Sequence, residues 1–260
     1  FKFGNSSPER HPFSQKEISD RERLGDASRE EAFTPPLLMH VLLYAANLCG
    51  YARILLCWTG LYYAFSNWQL CASFYMAAVV LDAADGWLAR KFDQCSQFGA
   101  MLDMITDRAG TASLCVVLAV LFPQLSFCML CLVSLDIMSH FLRIYSSQLQ
   151  GAKSHKDMDV DAPALLRLYY KNRIVLGGTC LFTEVFYCAM YMHYFVPDLY
   201  AFVIPGSADV SVGLFMLLAA ISFPIFFFKQ VLNVMQLAYS SLKIVEQDEL
   251  AKTSSSKKRS

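Results

Sequence analysis

Residues 68–90 read WQLCASFYMAAVVLDAADGWLAR, and residues 97–122 read QFGAMLDMITDRAGTASLCVVLAVLF. Each stretch is long enough to cross a bilayer as a helix, which takes about 20 mostly apolar residues. Each also carries two carboxylates near the end that meets the short link between them: Asp82 and Asp85 in the first, Asp103 and Asp107 in the second. A carboxylate at mid-bilayer costs about 2.5–3.5 kcal/mol on insertion scales, so four of them in adjacent spans call for a purpose.

The rest of the chain shares this apolar character. Hydrophobic residues are 55% and charged residues 17% of the 260 residues, whereas a soluble domain carries about 25% charged residues. An ordinary soluble enzyme, a disordered chain and a secreted disulfide scaffold are thereby excluded. Lys+Arg 22 balance Asp+Glu 22, so no basic excess points to nucleic acid. The nine cysteines are an odd number and sit mostly in or beside apolar runs. They read as small buried apolar residues, including the Cys128–Cys131 pair with its two-residue spacing.

The fold expected is all-α and polytopic, with six transmembrane helices around a polar cavity open to the cytosol. The spans fall at 47–65, 68–90, 98–122, 126–146, 172–195 and 211–238, with 37–46 as an interfacial or re-entrant piece. The links 66–68, 123–126 and 196–210 contain no Lys or Arg. The N-terminal segment, Arg90 and Lys91, the stretch from Arg143 to Arg173, and the tail from Lys243 to Arg259 carry them instead. An even number of spans puts both termini on one side, and the positive-inside rule makes that side cytosolic. Residues 1–35 form a polar tail in this reading, 36–240 the membrane domain and 241–260 a basic tail. Ser14 to Glu31 suits a charged surface helix or a solvated tail.

Spacing sharpens the meaning of the four carboxylates. Asp82 and Asp85 are i, i+3 and Asp103 and Asp107 are i, i+4, so each pair shares one helix face. The short link makes the two helices antiparallel neighbours, and the four side chains converge. Carboxylates that close repel unless a cation joins them. Oxygen-only ligands favour a hard ion, Mg²⁺ or Mn²⁺, and four of them suffice for two ions about 3.5–4 Å apart, the arrangement used in phosphoryl chemistry. Gly86 and Ala89 on the same helix allow close approach of a ligand or of another helix. Arg90, at the interface, can hold a phosphate or snorkel to headgroups.

The pattern Asp82-x2-Asp85-Gly86-x2-Ala89-Arg90-x8-Gly99-x3-Asp103-x3-Asp107 resembles, at every fixed position, the signature of the CDP-alcohol phosphatidyltransferases. The resemblance implies transfer from a CDP-linked donor to an alcohol with release of CMP. It implies that Asp82, Asp85 and Asp103 hold metal, and that Asp107 also faces the metals and is the general base. It assigns Gly86, Ala89, Arg90, Ser96 and Gly99 to the donor site, Ser96 standing where the family often has Thr. The stretches 47–54, 98–108, 134–140 and 154–156 look like the eukaryotic phosphatidylinositol synthase branch, whose substrates are CDP-diacylglycerol and myo-inositol. That branch resides in the bilayer, and family resemblance suggests a homodimer.

An uncharged acceptor calls for hydroxyl-bonding side chains, and Asp136, His140 and Arg143 are the candidates; Asp136 and His140 equally suit an internal pair between helices. Glu184 in the fifth span suits pairing with a neighbouring helix, and Lys153, His155 and Lys156 a solvated basic loop. The ending Lys257-Lys258-Arg259-Ser260 is similar to the dilysine retrieval signal of endoplasmic-reticulum membrane proteins. The alternatives are a family member using glycerol phosphate, serine, choline or inositol phosphate, which Arg108 and Arg143 would allow, and a metal-ion transporter.

Overall fold

A computed structural model describes residues 40–150, 162–203 and 211–257. The surface helix expected at Ser14–Glu31, the basic residues Lys153, His155 and Lys156, and the last three residues lie outside them. Seven helices of eight residues or more are described: α1 (Ala45–Tyr62), α2 (Trp68–Lys91), α3 (Gln97–Leu121), α4 (Ser126–Leu149), α5 (Ala164–Lys171), α6 (Arg173–Phe195) and α7 (Leu214–Lys257).

Among the described residues, five helices are long and apolar enough to cross a membrane: α2, α3, α4 with the short 3₁₀ turn before it, α6 and α7. The chain is therefore a multi-pass helical membrane protein. Helix α1, in place of the expected span at 47–65, has 18 residues, about 27 Å at 1.5 Å per residue. It carries Asn47 and Arg53, both buried, and is not among the five. Of the piece expected at 37–46, residues 40–42 make one helical turn, and the chain breaks before α1.

Two expectations need correction. The link at 196–210 contributes a strand, β1 (Tyr200–Val203), which pairs antiparallel with β2 (Ser211–Gly213) and opens the last helix. Pairing satisfies backbone groups that a plain loop would leave to water. Helix α7 also runs far past residue 238, for 44 residues through Pro224 to Lys257. Its continuation, with Lys243–Glu246 and Lys252–Glu249 pairs at i, i+3, is a charged surface helix rather than a plain tail.

Local chemistry sets the ends of the elements. Asn67 caps α2 by accepting from the Leu70 N–H at 3.0 Å, Ser96 caps α3 through Gly99 at 3.0 Å, and Asn172 caps α6 through Ile174 and Val175. Between α2 and α3 the chain turns through Asp93 at a left-handed φ of 54°, and Asp tolerates this better than most residues. The tight turn brings the C-terminal end of α2 beside the N-terminal end of α3.

Packing divides the molecule into two ends. Away from the α2–α3 link lies an apolar cluster around Tyr75, Leu114, Leu118, Tyr187, Tyr191 and Phe226. Phe186 stacks on Phe226 at 4.2 Å, and the Tyr191 hydroxyl donates to the Ala64 carbonyl at 2.8 Å. At the end near the link many buried residues are polar, Asn47, Arg53, Asp85 and Arg143 among them, beside a second apolar cluster around Leu166, Tyr169 and Leu232. Large side chains such as Trp58, Tyr62, Phe127, Phe141 and Ile174 are exposed around the outside, as a lipid-facing surface requires. All nine cysteines are free; Cys57, Cys71 and Cys115 are buried as expected, whereas Cys128 and Cys131 are exposed on α4, against the buried position expected for that pair.

Candidate active site

The two carboxylate pairs do converge. Ligand oxygens of Asp82, Asp85 and Asp103 lie within 4.8 Å of one another. This donor set, all carboxylate and drawn from two helices, fits a hard divalent cation. What the sequence reading missed is Arg53. It reaches from α1 into the middle of the cluster and is 5% exposed. Its Nη1 donates to Asp85 Oδ2 at 2.8 Å and to Asp103 Oδ1 at 2.9 Å. Its Nη2 pairs with Asp82 Oδ1 at 2.5 Å and with Asp107 Oδ1. One guanidinium meets four carboxylates, so acidic groups are in excess in the cluster. The signal was present: a charge inside a predicted span is as conspicuous for Arg53 as for the acids.

Two cavities meet at the cluster. The first, about 160 Å³, is lined by Asp85, Gly86, Ala89 and Arg90 of α2, by Ser96, Gly99 and Asp103 at the start of α3, and by Asn47 and Gly50 of α1. It gathers every residue that the resemblance assigned to the donor. Two glycines keep its walls close. A Cβ on Gly99 would lie 2.7 Å from Asn47 Oδ1 and 3.1 Å from Ser96 Oγ, and one on Gly50 would lie 2.9 Å from Leu102 Cδ2. Gln94 fixes the rim, since its Oε1 accepts from the Ala45 N–H at 2.9 Å, a helix donor without an intrahelical partner.

The second cavity, about 300 Å³, lies on the other side of the cluster. Its lining includes Arg53, Asp82, Thr106, Asp107, Arg108 and Glu184. The cluster is thus a wall with two faces, Asp85 and Asp103 toward one cavity and Asp82 and Asp107 toward the other. Glu184 accepts from the Tyr75 hydroxyl at 2.7 Å and from Thr111 Oγ1 at 2.9 Å. The helix pairing expected for it is present, and it also lines this cavity.

The candidate acceptor residues separate. Asp136 is linked to the cluster through Arg108, whose Nη1 donates to both its oxygens at 3.0 and 3.1 Å and whose Nη2 is 3.8 Å from Asp107 Oδ2. A polar chain continues beyond it: Asn233 Nδ2 is 3.4 Å from Asp136 Oδ1, and Lys229 donates to Asn233 Oδ1 at 2.8 Å. His140 lies with its Nδ1 2.8 Å from the Asp136 carbonyl oxygen and borders an apolar cleft between α3 and α4. Arg143 stands apart, its guanidinium 5.4 Å from the Tyr170 ring. Helix α5 holds Tyr170 there, and burial pushes that hydroxyl up to about 12, so it stays a neutral donor to Gln236 Oε1. These two residues brace helices and do not border either cavity at the carboxylates. Lys229, inside a predicted span, was missed for the same reason as Arg53.

Residues 43–239 match the family model described as CDP-alcohol phosphatidyltransferase. The chain is 42% identical over 208 residues to the CDP-diacylglycerol–inositol 3-phosphatidyltransferase of Candida albicans, covering 80% of this chain and 84% of that protein. It is 37% identical to the Homo sapiens enzyme of the same name, over 76% of this chain and 89% of that one. For the Saccharomyces cerevisiae enzyme the figures are 36%, 80% and 89%. No solved structure matches.

Proposed function

The chain belongs to the CDP-alcohol phosphatidyltransferase family, and on that premise we propose that it transfers the phosphatidyl group of CDP-diacylglycerol to myo-inositol, giving phosphatidylinositol and CMP. The observation that carries the reading is one carboxylate cluster shared by two cavities. A phosphoryl transfer needs donor and acceptor on opposite sides of the phosphorus, with the charge neutralised between them.

The 160 Å³ cavity receives the cytidine diphosphate. Gly86 and Gly99 let it approach the backbone, and Arg90 at the rim binds its phosphates. Ser96 acts here as the cap that shapes the start of α3, with its hydroxyl beside the nucleotide. Asp82, Asp85 and Asp103 would hold divalent cations, Mg²⁺ or Mn²⁺ and two in number, with Asp107 facing them, and such ions would supply positive charge against the diphosphate and the departing CMP. Asp107 takes the proton of an inositol hydroxyl in the 300 Å³ cavity. That oxygen bonds to the phosphorus bearing diacylglycerol as the bond to the CMP oxygen breaks. Arg108 holds the Asp107 carboxylate in place, and Asp136 holds Arg108.

Hydrogen-bonding groups line the acceptor cavity, Thr106, Asp107, Arg108 and Glu184 among them, and a polyol suits such a lining.

The catalytic domain spans 36–240 between a polar N-terminal segment and the charged helical continuation of α7, with α1 as a sixth span. Both termini and the site face the cytosol, in the endoplasmic reticulum, and two copies pair. Lipid tails then remain in the bilayer while inositol and CMP exchange with water. The test is CMP release by the purified chain with CDP-diacylglycerol, Mn²⁺ or Mg²⁺ and a panel of alcohols. Release with inositol alone is expected. Release with serine or glycerol phosphate instead would move the acceptor assignment, and no release with any alcohol would favour ion transport.

A further inference from the structure

We propose that Arg53 is a resident counter-cation of the carboxylate cluster, which a divalent cation must displace, so that Arg53 sets how tightly that cation is held. The inference rests on the metal-dependent reading above. Its basis is the way the guanidinium divides its partners. Nη1 takes Asp85 of α2 and Asp103 of α3, and Nη2 takes Asp82 of α2 and Asp107 of α3. Each nitrogen therefore ties one helix to the other, as a bridging metal ion would.

Three of the four partners are also the three carboxylates whose oxygens lie within 4.8 Å of one another. Guanidinium and metal ion thus compete for the same three carboxylates. Mg²⁺ needs carboxylate oxygens at about 2.0–2.1 Å, which would set two like charges side by side in a half-buried place. Arginine cannot relieve the conflict by losing a proton, since it stays charged in proteins. It must move. The planar fork makes a partial release simple: Nη1 leaves Asp85 and Asp103, Nη2 remains on Asp107, and the side chain swings toward the second cavity that it already lines.

This arrangement has two consequences. Without metal, Arg53 keeps four converging carboxylates from forcing α2 and α3 apart. With metal, its displacement is subtracted from the binding affinity, so the ions are held more weakly than four carboxylates alone would hold them. An ion that bridges substrate and then has to part from product benefits from such moderation.

The test uses the full chain in lipid nanodiscs without nucleotide, titrating Mn²⁺ and following the electron paramagnetic resonance signal of the free ion. Arg53→Gln is expected to lower the Mn²⁺ dissociation constant by about tenfold or more, because it removes a like charge within a few ångströms of the ion. It should also lower the melting temperature of the metal-free protein, with Mn²⁺ restoring it. Arg53→Lys, which keeps the charge, should stay within about threefold of the unmodified protein. If Arg53→Gln does not fold, Arg53→Gln with Asp107→Asn is compared with Asp107→Asn alone, and the same tightening is expected. Unchanged or weaker Mn²⁺ binding on removal of Arg53 would overturn the proposal and leave the metal-dependent reading intact. Absence of Mn²⁺ binding by the unmodified protein would overturn both.

Discussion

Asp136→Ala should destabilise the protein severely, while Arg108→Met with Asp136→Leu should not. Arg108 and Asp136 are nearly enclosed, with side chains 19% and 15% exposed. Arg108 Nη1 contacts both carboxylate oxygens at 3.0 and 3.1 Å. With Asp136 gone, Asp107 at 3.8 Å is its nearest remaining carboxylate, and that one is shared with Arg53. Two magnitudes compete. Hydrogen bonds between membrane helices average about 0.6 kcal/mol, whereas stranding one partner of a buried ion pair costs about 3–5 kcal/mol. The larger one governs, because the group left behind is a full charge, mostly buried, with one shared carboxylate near it. For a chain of this size each kcal/mol shifts the melting temperature by about 2–4 °C, so a fall of roughly 10 °C is expected. The double variant removes both charges and should recover most of the loss. The assay is thermal unfolding in detergent micelles beside CMP release from the same samples. Turnover should remain low in the double variant, since Asp107 has lost the guanidinium that holds it. A loss of under about 1 kcal/mol for Asp136→Ala, or a double variant no more stable than the single, would refute the argument.

The other predictions follow the same geometry. Asp107→Asn should lower turnover by about 10²–10⁴ while CDP-diacylglycerol binding by calorimetry is largely kept; turnover near that of the unmodified protein would remove the base assignment. Gly99→Ala forces a methyl against Asn47 and Ser96, and should cost about 1–3 kcal/mol and raise the KM for CDP-diacylglycerol more than it lowers kcat. Asp82→Asn should raise the Mn²⁺ concentration needed for half-maximal activity and lower turnover as well. Chelation of divalent cations should abolish CMP release, with Mg²⁺ or Mn²⁺ restoring it; activity that persists through exhaustive chelation would exclude the metal-dependent mechanism.

Much of the molecule is written in one dimension. Helical periodicity puts Asp82 with Asp85, and Asp103 with Asp107, on shared faces, and a short link brings the two faces together, so the cluster follows from spacing alone. Gly86, Ala89, Arg90, Ser96 and Gly99 lie within one turn or two of those acids, and the first cavity collects them for the same reason. Apolar length likewise marks the spans, because a bilayer tolerates little else. Tertiary structure decided what distant helices bring to that local frame. Arg53, some 30 residues or more from its partners, fills the cluster only because α1 packs against α2 and α3. Asp136 is tied to Arg108 and to Asn233 only because α4 lies between α3 and α7. Arg143 faces Tyr170 and not the acids because α5 supplies that ring. Helical period dictates which residues share a face; which face meets which depends on packing across the bundle, and no spacing within a single helix records that.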